Sequence, residues 1–550
     1  MRGQNWLGIR ASVVTVAVLL ASGCGGSTTK VAPLPDGQAA PPRKGGTLVL
    51  AASQEPACAD WLAACGNSSW GFDMMASQTL PRAFDFVDGR FIPSPLLVGA
   101  PSVEAGPPQR VTYRIDTRAV WSDGVPITSS DFRFLWEQSK AVNGNALQAV
   151  QSVDDADPHV AVVTWKDTAG DWRNRFDRIL PAHLLQGKDR TAELRDGYTF
   201  SGGPWIIDHW TKGQEIKLVP NPRYWAQQPN LDAVVFKIIP DAAAYLQAYR
   251  TGQVDMAFIQ GAQTETANLR DMPDTAFNVS TGLTYEFLMF NTSKAPLDAL
   301  PVRQALAHAT DRDAIVRQLS GSLKPDVTAA QAMMSPGNRQ WYSEPFKAYT
   351  RDLTKVGELM RGDGWARGAD GVWAKSGQRA VVEISTATGN TRRELTEQIL
   401  QSQWKEAGFD VMIRNAPSTV LNGDWLPKGT FQIALYGLVP STTDPGGSCA
   451  NFCSKNIPAE GNGFQGGAVS RLSSPAIDAA WTAVNSELDE SRRLQLVRQG
   501  QQALADQLPA LPLAPVLDVV VYNTMKVGGP VKAPPPGAFS NLNEWFCRTC

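Results

Sequence analysis

Histidine is scarce in this sequence: His159, His183, His209 and His308 are the only four, and they are scattered. Neither His-Glu-x-x-His nor Gly-x-Ser-x-Gly occurs, so the usual sequence signs of a zinc hydrolase and of a serine hydrolase are missing. An excess of charge is missing too, with 51 basic and 53 acidic residues and a net charge of −2. A nucleic-acid partner needs a concentrated basic footprint, and none is present. Beyond residue 20 no apolar run approaches the about 20 residues that cross a bilayer, and no tandem repeat is visible. What remains is 43% hydrophobic and 19% charged, ordinary for a packed soluble body. It is long enough for two or more domains at about 100–200 residues each.

Two motif-like stretches carry no chemistry in context. Gly461-Asn462-Gly463-Phe464-Gln465-Gly466 matches Gly-x-Gly-x-x-Gly, but a dinucleotide fingerprint follows a strand and opens a helix, and this stretch reads as a loop. Ser27-Thr28-Thr29-Lys30 matches Ser-x-x-Lys within a segment that could not preorganise a site. No enzyme activity, metal or cofactor is expected.

The N-terminus points to export. Arg2 and Arg10 precede an apolar stretch from Ala11 to Leu20 that is too short for a membrane span and suits a secretory signal, residues 1–23. It closes on Leu20-Ala21-Ser22-Gly23-Cys24, which looks like a bacterial lipobox and implies that Cys24 carries lipid. The alternative is an ordinary cleaved signal with an incidental cysteine. Residues 24–45 are rich in Gly, Pro, Ser, Thr and Ala. Such a segment cannot bury enough apolar surface to offset its ordering entropy, so it reads as a tether. Six further cysteines remain, and six admit 15 pairings. The simplest set is local: Cys58–Cys65, Cys449–Cys453 and Cys547–Cys550. The closing Cys-x-x-Cys could instead be redox-active or bind zinc.

Along the body, helical and strand patterns alternate, which indicates an α/β architecture. Thr47–Leu50 and Val111–Ile115 read as strands, and Thr128 with Asp131 reads as a capping-box start to a helix. Trp205 to Trp225 reads as a hairpin with aromatic plugs. Phe287 to Thr292 reads as a buried strand, followed by a helix starting at Asp298 and Pro301. Thr391 to Glu394 opens a helix that Gly408 ends, and another spans about Ser491 to Gln507.

Several of these stretches resemble, in order, segments of the oligopeptide/dipeptide (and nickel) binding proteins that serve ABC importers. They are Trp121–Phe132; Gly203–Trp225; Phe290-Asn291-Thr292 with Val302–Leu306 and Thr310-Asp311-Arg312; and Pro509–Leu513. The resemblance spans about residues 45–530. It implies a periplasmic-binding-protein-like fold of the large type, with two lobes joined by two crossovers near 280–292 and 512–520. The larger lobe, with an inserted subdomain, would comprise residues 46–285 plus 518–550, and the second lobe residues 290–514. Hinge closure would bury a ligand. A disulfide between lobes would oppose that motion, which favours the Cys449–Cys453 pairing.

The same resemblance implies a monomeric lipoprotein on the outer face of the cytoplasmic membrane. It would capture peptide without covalent chemistry and deliver it to ABC permease subunits. Ser68, Ser69 and Trp70 on one side, and Tyr436, Ser441 and Asp444 on the other, are the candidate ligand residues. Where peptide receptors place an aspartate for a peptide ammonium, this chain has Ser441, with Asp444 the nearest carboxylate. The position of a carboxylate-binding arginine falls near Ser385. Without both charges a zwitterionic dipeptide is disfavoured, since a desolvated terminus needs a partner. A longer peptide held by its backbone, or a nickel chelate, haem or oligosaccharide, then gains weight, as does a receptor-like regulator that has lost transport. Trp70 and Tyr436 could equally be core plugs, and Asp444 before Pro445 could be a turn former.

Overall fold

The computed structural model describes residues 43–550 except 67, 88, 141, 143–145, 261–268, 270, 439–443 and 532–536. Cys24, the signal and tether regions up to residue 42, and Ser441 therefore lie outside the described residues.

The backbone of the fold is one ten-stranded mixed sheet. Its strands run, edge to edge, Asp410–Ile413, Val381–Ser385, Ile433–Leu438, Thr275–Phe290, Ala510–Asn523, Met256–Gln260, Thr47–Ala52, Ala233–Ile238, Glu215–Pro220 and Trp205–Thr211. The two long central strands, 16 and 14 residues, pair antiparallel. One end of the pair lies beside Met256–Gln260, the other beside Ile433–Leu438. These are the two crossovers of a two-lobed fold.

Proline normally stays out of central strands because it donates nothing to the ladder. Pro512 and Pro515 nevertheless sit in the second long strand, facing Phe287 and Tyr285, where the register shifts between Thr281 and Tyr285 and again between Glu286 and Phe287. The irregularity absorbs the missing donors and puts a bend at the waist.

Packing divides on either side of that waist. One core gathers residues from Leu48 to Met256 together with Val520 to Cys547, plugged by the fully buried Trp121, Trp165, Trp205 and Trp545. Another gathers Tyr285 to Ala514 around Trp404 and Trp481. A smaller cluster of Tyr245, Tyr249, Leu323, Leu517 and Val519 packs at the central strands. An antiparallel sheet of Ser102–Glu104, Arg110–Arg114, Val160–Trp165 and Val150–Asp157 packs with the helix Ser129–Lys140 and shares the first core.

Local signals explain most element ends, with some corrections. Asp131 Oδ2 accepts from the Thr128 amide, as a capping box requires. The helix Thr391–Ala407 is capped by Asn390 rather than Thr391, its side chain accepting from Arg393 N, while Gly408 closes it at φ 97°. The helix Leu300–Ala309 begins after Ala299, with no side-chain cap from Asp298. Cys58 is joined to Cys65, Cys449 to Cys453 and Cys547 to Cys550. The loop around Gly463 follows no strand.

Candidate functional site

The charged and aromatic groups of interest fall into three sets, one beside the strand Met256–Gln260, one beside Ile433–Leu438 and one around Asp444. On one side, the chain turns at Ser68, whose Oγ accepts from Gly71 N at 3.4 Å, and Ser69 and Trp70 begin a short helical turn. The half-buried Trp70 ring stands 5.7 Å edge-on to Phe258 and 6.3 Å from Phe539. Trp70 is thus one of three mutually packed rings, and Ser68 shapes a turn. Next to them Asp73 lies against the backbone of Gly537, where a Cβ would collide with its carboxyl. Asp518, from the second long strand, lies in the same way against Gly282 of the first.

Burial pushes the Asp73 carboxyl up to about 7, Arg178 opposing and Asp518 adding to the shift. Burial likewise raises Glu397 to about 7, opposed by its hydrogen bond from Asn415. An unfolded carboxyl releases its proton near 4. Between about pH 4 and 7 these two groups therefore bind more protons in the folded chain than in the unfolded one, and the stability they contribute is lost as pH rises through that window. In Asp73→Asn, urea midpoints measured across this range are expected to fall less steeply with pH than in the parent. An unchanged slope would contradict the assignment.

On the other side, Tyr436 meets Phe287 edge-on at 4.7 Å and stays partly exposed. Burial raises its hydroxyl. Beside it in the ladder Glu286, 1% exposed, pairs with Gly437. Its Oε1 accepts from Arg392 Nη2 at 2.8 Å and from Arg393 Nε at 2.6 Å. Gly437 leaves room for this, since a Cβ there would stand 3.0 Å from Arg393 Nη2. Sequence reasoning overlooked this pair of arginines. Two adjacent cations in the first turn of a helix oppose its dipole, and that oddity was the available signal. Ser385 is fully buried.

Asp444 is both a turn former and an ion-pair partner. Its Oδ1 accepts from Gly446 N at 2.8 Å, and its two oxygens take Arg493 bidentately at 2.6 and 2.7 Å. Both side chains are nearly buried. The pair lines a cavity of about 660 Å³ between Arg90, Gly170 and Arg173 on one side and Arg339 and Trp341 on the other. Gly170 N donates to Asn485 O across this contact at 2.7 Å. Among the described residues no group of three or more His, Cys, Asp and Glu could hold a metal ion.

A strand-paired waist, two cores and charges of both signs invite comparison with known proteins. Residues 95–459, well over half of the chain, match the model of bacterial extracellular solute-binding proteins, family 5, middle region. The oligopeptide-binding protein OppA of Mycobacterium tuberculosis is 25% identical over 493 residues, covering 85% of this chain and 80% of the relative. The oligopeptide-binding protein AppA of Bacillus subtilis is 26% identical, covering 73% and 74%. Among solved structures, the periplasmic EDTA-binding protein EppA superposes with a TM-score of 0.80 at 21% identity, covering 92% of this chain and 98% of the other. AppA from Bacillus subtilis in complex with a nonapeptide gives 0.71 at 22% identity, covering 92% and 99%. The matched segment contains the Trp121–Phe132 and Gly203–Trp225 signatures and the whole first crossover strand, and on that basis the chain belongs to family 5 of the bacterial extracellular solute-binding proteins.

Proposed function

We propose that the chain is the substrate-binding lipoprotein of an ABC importer, which captures peptides between its lobes and hands them to a membrane permease. The observation that carries this reading is the distribution of charge at the waist. Asp73 and Asp518 stand toward the end of the long strands that pairs with Met256–Gln260, and Arg392 and Arg393, two cations sharing the one carboxylate of Glu286, toward the end that pairs with Ile433–Leu438. An extended ligand with an ammonium and a carboxylate end meets opposite charges there, which replace the charges absent at Ser441 and Ser385. The relatives named for oligopeptide and dipeptide binding support the same class of cargo. The lobes would be residues 46–285 plus 518–550 and residues 290–514, closing about the bend at Pro512 and Pro515. Ser68, Ser69, Trp70 and Tyr436 would border the ligand, and Asp444 would brace the second lobe through Arg493. Ligand favours the closed state by binding it more tightly, and the closed lobes form the surface that a permease reads.

A thermal-shift titration with pools of di- to nonapeptides tests this. A ligand at 100 times its Kd stabilises the folded state by about 2.7 kcal/mol, so at least one pool should raise the melting temperature clearly. No shift with any pool would argue against peptide cargo.

Residues 1–23 would be removed on export, and Cys24, lipidated, would hold the monomer on the outer face of the cytoplasmic membrane by the tether 24–45. In Cys24→Ser cells the protein should move from the membrane fraction to the soluble fraction. Retention in the membrane would sink the lipid anchor.

A further inference from the structure

The cavity at Asp444 is far more basic than the chain as a whole. Four arginines line it, Arg90, Arg173, Arg339 and Arg493, against two carboxylates, Asp444 and Glu490. One pair cancels internally, because Asp444 takes Arg493 bidentately. Glu490 accepts a hydrogen bond from Gln340. Among the described residues, that leaves Arg90, Arg173 and Arg339 without a carboxylate in hydrogen-bonded contact. Arg173 is partly buried, its guanidinium 4.5 Å over the Trp172 ring, and burial lowers its pKa, with Glu490 opposing. A guanidinium taken partly out of water gains most from an oxyanion that it can meet with two parallel N–H donors. The three arginines come from both halves of the molecule: Arg90 from the hairpin Phe84–Val87 and Arg90–Pro93, Arg173 from the short turn Trp172–Asn174 that follows the strand Val160–Trp165, and Arg339 from the loop before Trp341. The wall also contains apolar surface from Phe91, Leu488 and Trp341. A cavity of about 660 Å³ is large enough for a side chain or a small acid, within the range of ligand pockets.

We infer that this cavity is a carboxylate-recognising subsite, in which Arg90, Arg173 and Arg339 select ligands that carry an acidic side chain. The inference rests on the peptide reading above and narrows it to acidic peptides. Discrimination centres on the partly buried Arg173, which a ligand amide would leave unpaired, while the exposed Arg90 and Arg339 add attraction for an anion.

The test uses the mature protein and its Arg173→Gln/Arg339→Gln variant. Arg339 is exposed and Arg173 partly so, which spares the core, and circular dichroism confirms the variant's fold. Each protein is incubated with a random pentapeptide library, and the retained peptides are sequenced by mass spectrometry. Calorimetric titration with tricarballylate and with its triamide runs in parallel. We expect retained peptides enriched at least threefold in Asp and Glu, and enrichment lost in the variant. Tricarballylate should bind, the triamide should not, and the variant should bind the acid at least tenfold more weakly. Peptides retained without acidic enrichment would overturn the subsite and leave peptide capture standing. Tricarballylate binding that weakens in the variant, with no peptide retained, would keep the subsite and sink the peptide reading. Equal binding of acid by both proteins, or by neither, would overturn the subsite.

Discussion

Replacing Arg312 with methionine is expected to remove about 3–5 kcal/mol of stability from the second core, the scale seen when a buried charged network loses its donor. Arg312 is 5% exposed and bears no carboxylate partner in its hydrogen-bond set. It donates instead to the backbone oxygens of Ala330, Phe346, Tyr349 and Pro512 and to Gln331 Oε1, at 2.7–3.2 Å. Burial pulls its pKa down to about 10, so it stays charged at neutral pH. Methionine fills comparable space but donates nothing, and each buried acceptor left bare costs about 1–3 kcal/mol. The loss also frees Pro512, at the bend of the second long strand, from the helix Arg312–Ser320. Urea unfolding followed by tryptophan fluorescence reads the effect. Arg317→Met, on the exposed side of the same helix, should change stability by less than about 0.5 kcal/mol. Similar midpoints for the two variants would contradict the role given to Arg312.

Glu286→Leu is expected to cost a similar about 3–5 kcal/mol, for the opposite reason. Here the acid is lost and two neighbouring guanidiniums, 16% and 18% exposed, are left without the carboxylate they share. Arg392 already has its pKa lowered by burial, with Glu286 holding it up and Arg393 adding to the depression. Removing all three charges together, as Glu286→Leu with Arg392→Met and Arg393→Met, should recover much of the loss, because apolar replacement of a complete buried ion network is often neutral. The triple variant should nonetheless bind peptide more weakly, if the arginines meet the carboxylate end. Calorimetric unfolding separates the stability effect from a binding titration. A single variant as stable as the parent would remove Glu286 as the brace of the arginine pair.

Elements with local causes were legible in the sequence, and those with distant causes were not. The hairpin Trp205–Thr211 and Glu215–Pro220 is closed by neighbours along the chain, and the Gly408 stop is a single-residue effect; both were read correctly. The first long strand was read only from Phe287 onward. Its earlier half, with Asn278, Ser280 and Gly282, has the composition of a turn, and becomes strand because residues 517–523 pair with it. The second long strand was placed only through the family resemblance at Pro509–Leu513; prolines are unusual in a central strand, and the register shifts that tolerate them depend on a partner over 200 residues away. The Glu286 triad and the Asp444–Arg493 pair join residues 106 or 107 and 49 positions apart, so no spacing rule finds them. Arg303 was legible only as part of a family-like segment, although it too serves backbone oxygens, at Leu297, Leu508 and Gln507.

Peptide capture between the lobes is tested most directly by native mass spectrometry of the protein purified without lipid, followed by denaturing release of what it holds. The expected spectrum shows a population heavier by the mass of retained peptides, and their sequences, once released, define length and charge preference. A spectrum of bare protein alone, unchanged after incubation with the di- to nonapeptide pools, would contradict the account.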